Sequence, residues 1–181
     1  YKNGKLNGIY KEWDENGKLE VEDLYKEGER TYSKRYGSNQ EVTLTSYKNR
    51  ERNGLCKYWS ETGGLCYKYN YKDGKKNGLC KYWYETGQLE TETYFKDGEL
   101  NGLLKRWDIN GQLVEEALYK NGKRNGIYKW WYENGQLSYE GNYINGAKDG
   151  IHRDWDENGI LKYQILYNDD YAVSAKDYRD H

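Results

Sequence analysis

Aliphatic bulk is what this chain lacks: it has no Met, no Pro and one Phe, and its mean hydropathy is −1.29. A thick, oil-like core is thereby excluded. The apolar area must come from 22 Tyr and 7 Trp, rings that suit half-buried sheet positions where one end stays wet. An excess of either charge is missing too, since 29 basic residues face 30 acidic ones for a net of −1. That balance argues against a nucleic-acid surface, which needs clustered Lys and Arg to hold phosphates. No apolar run approaches the roughly 18 residues of a membrane-spanning helix, and no signal core opens the sequence. The chain begins Tyr1-Lys2-Asn3-Gly4 inside a repeat and without Met. A processed terminus is therefore expected; the location expected is cytoplasmic, with cell envelope or secretion open if a signal has been removed.

Catalytic side chains are equally scarce. The two histidines, His152 and His181, have no second His or Cys-x-x-Cys nearby, so neither a metal site nor a His-based triad is expected. Glu115-Glu116 and Asp154 with Asp156 read as solvated charges of a polar face. No glycine loop stands in the strand, loop and helix order of a phosphate cradle. The expectation is a non-enzyme without cofactor or metal.

What the sequence has is a period. Trp59, Trp83, Trp107, Trp131 and Trp155 follow one another at 24 residues (83−59, 107−83, 131−107, 155−131), with Trp13 preceding them. Glycines keep register five residues before each Trp, from Gly8 to Gly150, and four after, from Gly17 to Gly159; a leucine follows two positions later. Such periodicity marks a repeat protein whose units hide their apolar faces only against neighbours. Trp13 to Trp59 is two repeats less two residues, so a degenerate repeat without Trp lies between about Gly28 and Arg50. Two glycine turns and two short alternating aromatic runs per repeat predict a β-hairpin, and the whole an all-β, elongated antiparallel meander, a single-layer twisted sheet over 1–167. The stretch 168–181 breaks the repeat and is expected to cap the last sheet edge or to be mobile.

Hairpin register decides which side chains share a face. A two-residue Asn134-Gly135 turn would set Trp131 opposite Ser138. A three-residue loop with Gly135 in the left-handed conformation sets Trp131 opposite Leu137 and sorts the faces better. One face then collects Ile127, Lys129, Trp131, Leu137, Tyr139 and Tyr143, with Ile151, Arg153, Trp155, Leu161, Tyr163, Ile165 and Tyr167 in the last repeat. The opposite, outer face takes Tyr128, Trp130, Tyr132, Gln136, Ser138 and Glu140.

The segment from Asn125-Gly126-Ile127-Tyr128-Lys129-Trp130-Trp131 through Glu133-Asn134-Gly135-Gln136-Leu137 to Tyr143-Ile144-Asn145-Gly146, with five counterparts, resembles the MORN repeat, most closely the bacterial variant of YwqK-type antitoxins. The resemblance implies a non-catalytic role in binding or scaffolding. A protein partner is implied first, such as a toxin or effector to be neutralised or an adaptor. Association with a membrane surface comes second.

Two columns then stand out. The outer face gathers Tyr58, Tyr82, Tyr84, Arg106, Tyr128, Trp130 and Tyr132, the residue types that dominate interface hot spots; cross-strand packing of the same rings is the competing reading. On the Trp face run Lys11, Lys57, Lys81, Lys105, Lys129 and Arg153. They are expected to snorkel over indoles, with a cationic groove for anionic lipid or polymer as the alternative. Cys56 and Cys80 share a column about 10 Å apart, beyond a disulfide. Pairing Tyr71 with Lys75 across Lys72-Asp73-Gly74 would set Cys66 opposite Cys80. The odd count favours free thiols, and that bond stays open.

Overall fold

The computed structural model describes residues 1–179; His181, weighed above as a ligand, lies outside the described residues. The chain resolves into two compact units, Tyr1–Gln88 and Leu89–His181. The first holds β1 (Gly8–Trp13), β2 (Leu19–Lys26), β3 (Glu29–Tyr36), β4 (Val42–Lys48), β5 (Glu51–Trp59), β6 (Leu65–Lys72), β7 (Lys75–Lys76) and β8 (Gly78–Trp83). The second holds β9 (Leu89–Lys96), β10 (Glu99–Leu100), β11 (Gly102–Trp107), β12 (Leu113–Lys120), β13 (Lys123–Trp131), β14 (Leu137–Ile144), β15 (Ala147–Lys148), β16 (Gly150–Trp155), β17 (Leu161–Asn168) and β18 (Tyr171–Asp177). Within each, successive strands pair antiparallel, so the meander of tandem hairpins expected from the period is the fold. The degenerate stretch is itself a hairpin, β3 against β4, closed by Gly37 N–H donating to Glu41 C=O at 2.8 Å. β18, formed from the non-repeat stretch, pairs with β17.

Each repeat uses two turns of different chemistry. After the Trp comes the three-residue glycine loop: Tyr132 N–H donates to Gln136 C=O at 2.9 Å, Gly135 has φ +85°, and Trp131 faces Leu137. Asp14, Asp108 and Asp156 close the same loop by accepting two backbone N–H groups each through Oδ1. Such turns are a habit of Asp side chains. The Asp156 carboxyl is held below its ordinary range, first by the Ile160 N–H and then by Lys162. The second turn has only two residues, not three: Lys72 pairs Lys75, and both Asp73 (φ +48°) and Gly74 (φ +76°) are left-handed, as the mirror-image hairpin turn requires. Its central glycine also ties repeats together, Gly74 N–H reaching Arg52 C=O at 3.0 Å and Gly122 N–H reaching Leu100 C=O at 2.9 Å. The Asn before the early glycine adds a stitch, as from Asn53 to Asp73 and from Asn101 to Asn121; in the last repeat that position is Asp149.

A second irregularity overturns part of the expected face assignment. Trp131 pairs Leu137, but Trp130 pairs Tyr139, so Ser138 is a bulge residue facing no partner. The same slip recurs at Val114 and Cys66. Directly opposed residues share a face, so beyond the bulge the sets exchange. Tyr139 and Tyr143 join Tyr128 and Trp130, while Glu140 joins Lys129 and Ile127. In the last repeat Tyr163, Ile165 and Tyr167 move likewise to the side of His152.

Candidate functional faces

The bulge makes the aromatic side the shielded one. Val21, Cys56, Cys80, Ala117 and Tyr143 are its buried apolar residues, with Ser33, Thr45, Glu115 and His152 buried beside them. On the Trp side, by contrast, Ile127 is 47% and Ile151 43% exposed. Shielding works by reciprocal volume: Tyr128 faces Gly141, Leu104 faces Ala117, and the His152 ring lies over Gly141.

In the second unit His152 organises this side. Its Nε2–H donates to Asn142 C=O at 2.8 Å, which leaves Nδ1 to accept from the Tyr139 hydroxyl at 2.5 Å; Tyr139 in turn meets the Tyr143 hydroxyl at 3.1 Å. The neutral ring fits this arrangement, and burial holds its pKa below the ordinary value. Burial first, and then the Tyr143 contact, raises Tyr139; burial with Glu115 pushes Tyr128 up to about 12. Arg124 covers Tyr128 at 4.1 Å to the ring centre. With His152 only 2% exposed, this is packing chemistry rather than an acid–base site. In the first unit the rings stack instead: Tyr58 on Tyr67 at 5.0 Å, Tyr67 on Tyr69 at 4.5 Å, and Tyr69 against Tyr82 at 5.2 Å, with the Lys76 ammonium 3.9 Å above Tyr69.

The candidate partner-binding residues divide between the units, Tyr58, Tyr82 and Tyr84 in the first and Arg106, Tyr128, Trp130 and Tyr132 in the second. Tyr58 and Tyr82 belong to the stack just described. Tyr128 is half-buried, and the Tyr132 hydroxyl donates to Trp155 C=O at 2.8 Å, stitching a loop. Arg106 lies 2.5 Å from Glu115, with its guanidinium 5.9 Å from the Trp130 ring centre. Trp130 keeps 36% of its surface open.

The Trp side carries an ionic row the sequence reading missed, because the bulge moves Glu116 and Glu140 onto it. In the second unit direct neighbours run Glu92, Lys105, Glu116, Lys129, Glu140, Arg153, Gln164 and Lys176. Lys105 meets Glu116 at 3.3 Å and Lys129 meets Glu140 at 3.2 Å, so these cations turn to carboxylates rather than to indoles. Lys57 of the expected column follows the indole expectation, 5.7 Å from the Trp59 ring centre. The cysteines are free thiols, and Cys66 does not face Cys80, because Tyr67 pairs Tyr82 and Lys68 pairs Lys81.

Among the described residues no group of three or more His, Cys, Asp or Glu could hold a metal ion, and no helix is long and apolar enough to cross a membrane. The family model described as "MORN repeat variant" matches residues 6–27, 52–73, 76–97, 100–121, 124–145 and 148–169. This chain belongs to the MORN repeat-variant family. MORN repeats are generally non-catalytic modules that mediate protein or membrane interactions, and the unmatched stretch between 27 and 52 is the degenerate hairpin. No curated protein matches. Among solved structures the chain is similar to TarM (12% identity, TM-score 0.35, 59% of this chain and 20% of that one). It is also similar to a mutant of S. aureus TarM in complex with fondaparinux, alpha-GlcNAc-glycerol and UDP (10% identity, TM-score 0.27, 66% and 21%). The chain spans about a fifth of the length of those proteins, and likenesses this slight carry no argument.

Proposed function

We propose that this MORN-variant chain is a non-catalytic protein-binding module whose second unit presents Trp130 to a partner. The observation that carries this reading is an open indole on β13 with the Arg106 guanidinium reaching toward it from β11, across Glu115 of the intervening β12, a combination of the kind that anchors interfaces. The partner class that fits the family resemblance is a toxin or effector, which this chain would neutralise as an antitoxin or immunity-type inhibitor. Affinity capture from native lysate with the intact chain, repeated with Trp130→Ala, tests the patch. A stoichiometric protein should be recovered by the parent and lost by the variant, with the β-type circular dichroism unchanged. Equal recovery by both would refute it. The scaffold reading, through the column from Lys11 to Arg153, loses support where Glu22, Glu116 and Glu140 accept those cations.

A further inference from the structure

In the first unit the ionic row loses its alternation. Direct neighbours read Lys11, Glu22, Lys34, Leu44, Lys57, Lys68 and Lys81. Lys57, Lys68 and Lys81 therefore stand side by side with no acid between them in the row, across two strand spacings, about 10 Å. Like charges directly opposed repel, and an anion laid along the row would relieve that repulsion. Beside this row the degenerate hairpin leaves a hollow. Leu44 stands where the second unit alternates acid and base, and a cavity of about 320 Å³ opens among Tyr32, Lys34, Val42, Leu44 and Trp59, with Gln40 and Ser60 also in its lining. Its lining brings an indole, a phenol and two aliphatic chains together with Lys34, and Lys57 stands next to Leu44 in the row.

We propose that this hollow seats one apolar anchor side chain of an acidic peptide segment, whose flanking carboxylates lie on Lys34, Lys57 and Lys68. The volume sits at the lower limit for small-molecule pockets and the walls are open, so a bulky side chain fits where a whole ligand would stay wet. An acyl chain would need a longer apolar trough, and the polar Lys34, Gln40 and Ser60 interrupt this lining. Carboxylates two to three residues apart in an extended segment are about 7 to 10 Å apart, a span the lysine row matches. The inference rests on the protein-binding reading but places partner chemistry at another face in the other unit.

Isothermal titration of the full chain with blocked seven-residue peptides, Asp-Glu-Asp-X-Asp-Glu-Asp with X as Phe, Leu or Ala, tests it. An Asn/Gln counterpart, inorganic phosphate and anionic vesicles complete the set. The Phe and Leu peptides should saturate, with the Ala and uncharged peptides at least ten-fold weaker. The double variant Lys57→Glu with Lys68→Glu should lose at least ten-fold, as should Leu44→Asp, which puts a charge in the slot; unchanged thermal unfolding certifies each. Equal affinity for Phe and Ala, binding that survives the double variant, or saturation by phosphate or vesicles without peptide binding would each overturn the proposal. Trp130→Ala should leave peptide binding intact, so failure here and failure of the Trp130 patch are told apart.

Discussion

One row of the MORN scaffold is written in two ways: five lysines and one glutamate around Leu44 in the first unit, and an alternation from Glu92 to Arg153 in the second. The shielded side differs in kind as well. Stacked tyrosines under Lys76 fill the first unit, while the second threads Tyr143, Tyr139 and His152 on hydrogen bonds over Gly141. The lesson is that the repeat fixes positions and not chemistry. Where charges alternate and donors are matched, the face is neutralised and structural. Where the pattern lapses, at Leu44 and Lys68, there is a cavity and unbalanced charge.

The largest expected effect would break the comparison at its tightest point. A Cβ on Gly141 would overlap His152 Nδ1, so Gly141→Ala should displace the ring and cost about 1–3 kcal/mol, as overpacking does. Urea unfolding with hydrogen-exchange readout should place that loss in residues 89–179 and leave 1–88 unchanged. A change of pH should separate the units next. His152 has its pKa lowered from 6.5 by burial, so the unfolded chain takes up its proton first. Stability of the second unit is then full above about pH 6.5 and falls as pH drops through that value toward the folded one. Asp154, raised by burial, acts in the opposite sense near its own lower range. Exchange rates at pH 7.5 and 5.5 should therefore diverge around β14 and β16, with the stack of Tyr58, Tyr67 and Tyr69 indifferent. Smallest is the exchange of ladder patterns. Lys68→Glu, which restores alternation, should stabilise by about 0.2–1 kcal/mol, and Glu116→Lys should cost a similar amount. Both effects should fade at about 1 M salt, where screening acts within roughly 3 Å; a gap that persists would mean the row is not electrostatic.

The period, the hairpins and the loop at Gly135 were legible in the sequence because each demands a residue type: an aromatic at the Trp position, a glycine where φ is positive. The bulge at Ser138 was not, since its counterparts are residues as unlike as Cys66 and Val114, and a bulge conformation open to any residue leaves no compositional mark. That single slip carried Tyr139 and Tyr143 to the other side and hid the partnership of Lys129 with Glu140. One signal could have exposed it. Tyr128 with Gly141 and Leu104 with Ala117 are complementary in size, and they face each other only if one residue is skipped. The two-residue turn at Asp73-Gly74 was missed because Asp and Gly suit both loop lengths. Asp156, read as a solvated charge of a polar face, is a loop cap, as are Asp14 and Asp108.

Every functional statement about these faces rests on which side chains the bulge shields. Hydroxyl-radical footprinting of the intact chain, each rate normalised to the unfolded protein, measures that directly. Protection of Tyr143 (7% exposed), Tyr128 and His152, with fast oxidation of Ile127 (47%) and Ile151 (43%), is the expected result. Tyr143 reacting like Ile127 would put the two on one face, restore the unbulged register, and contradict the account.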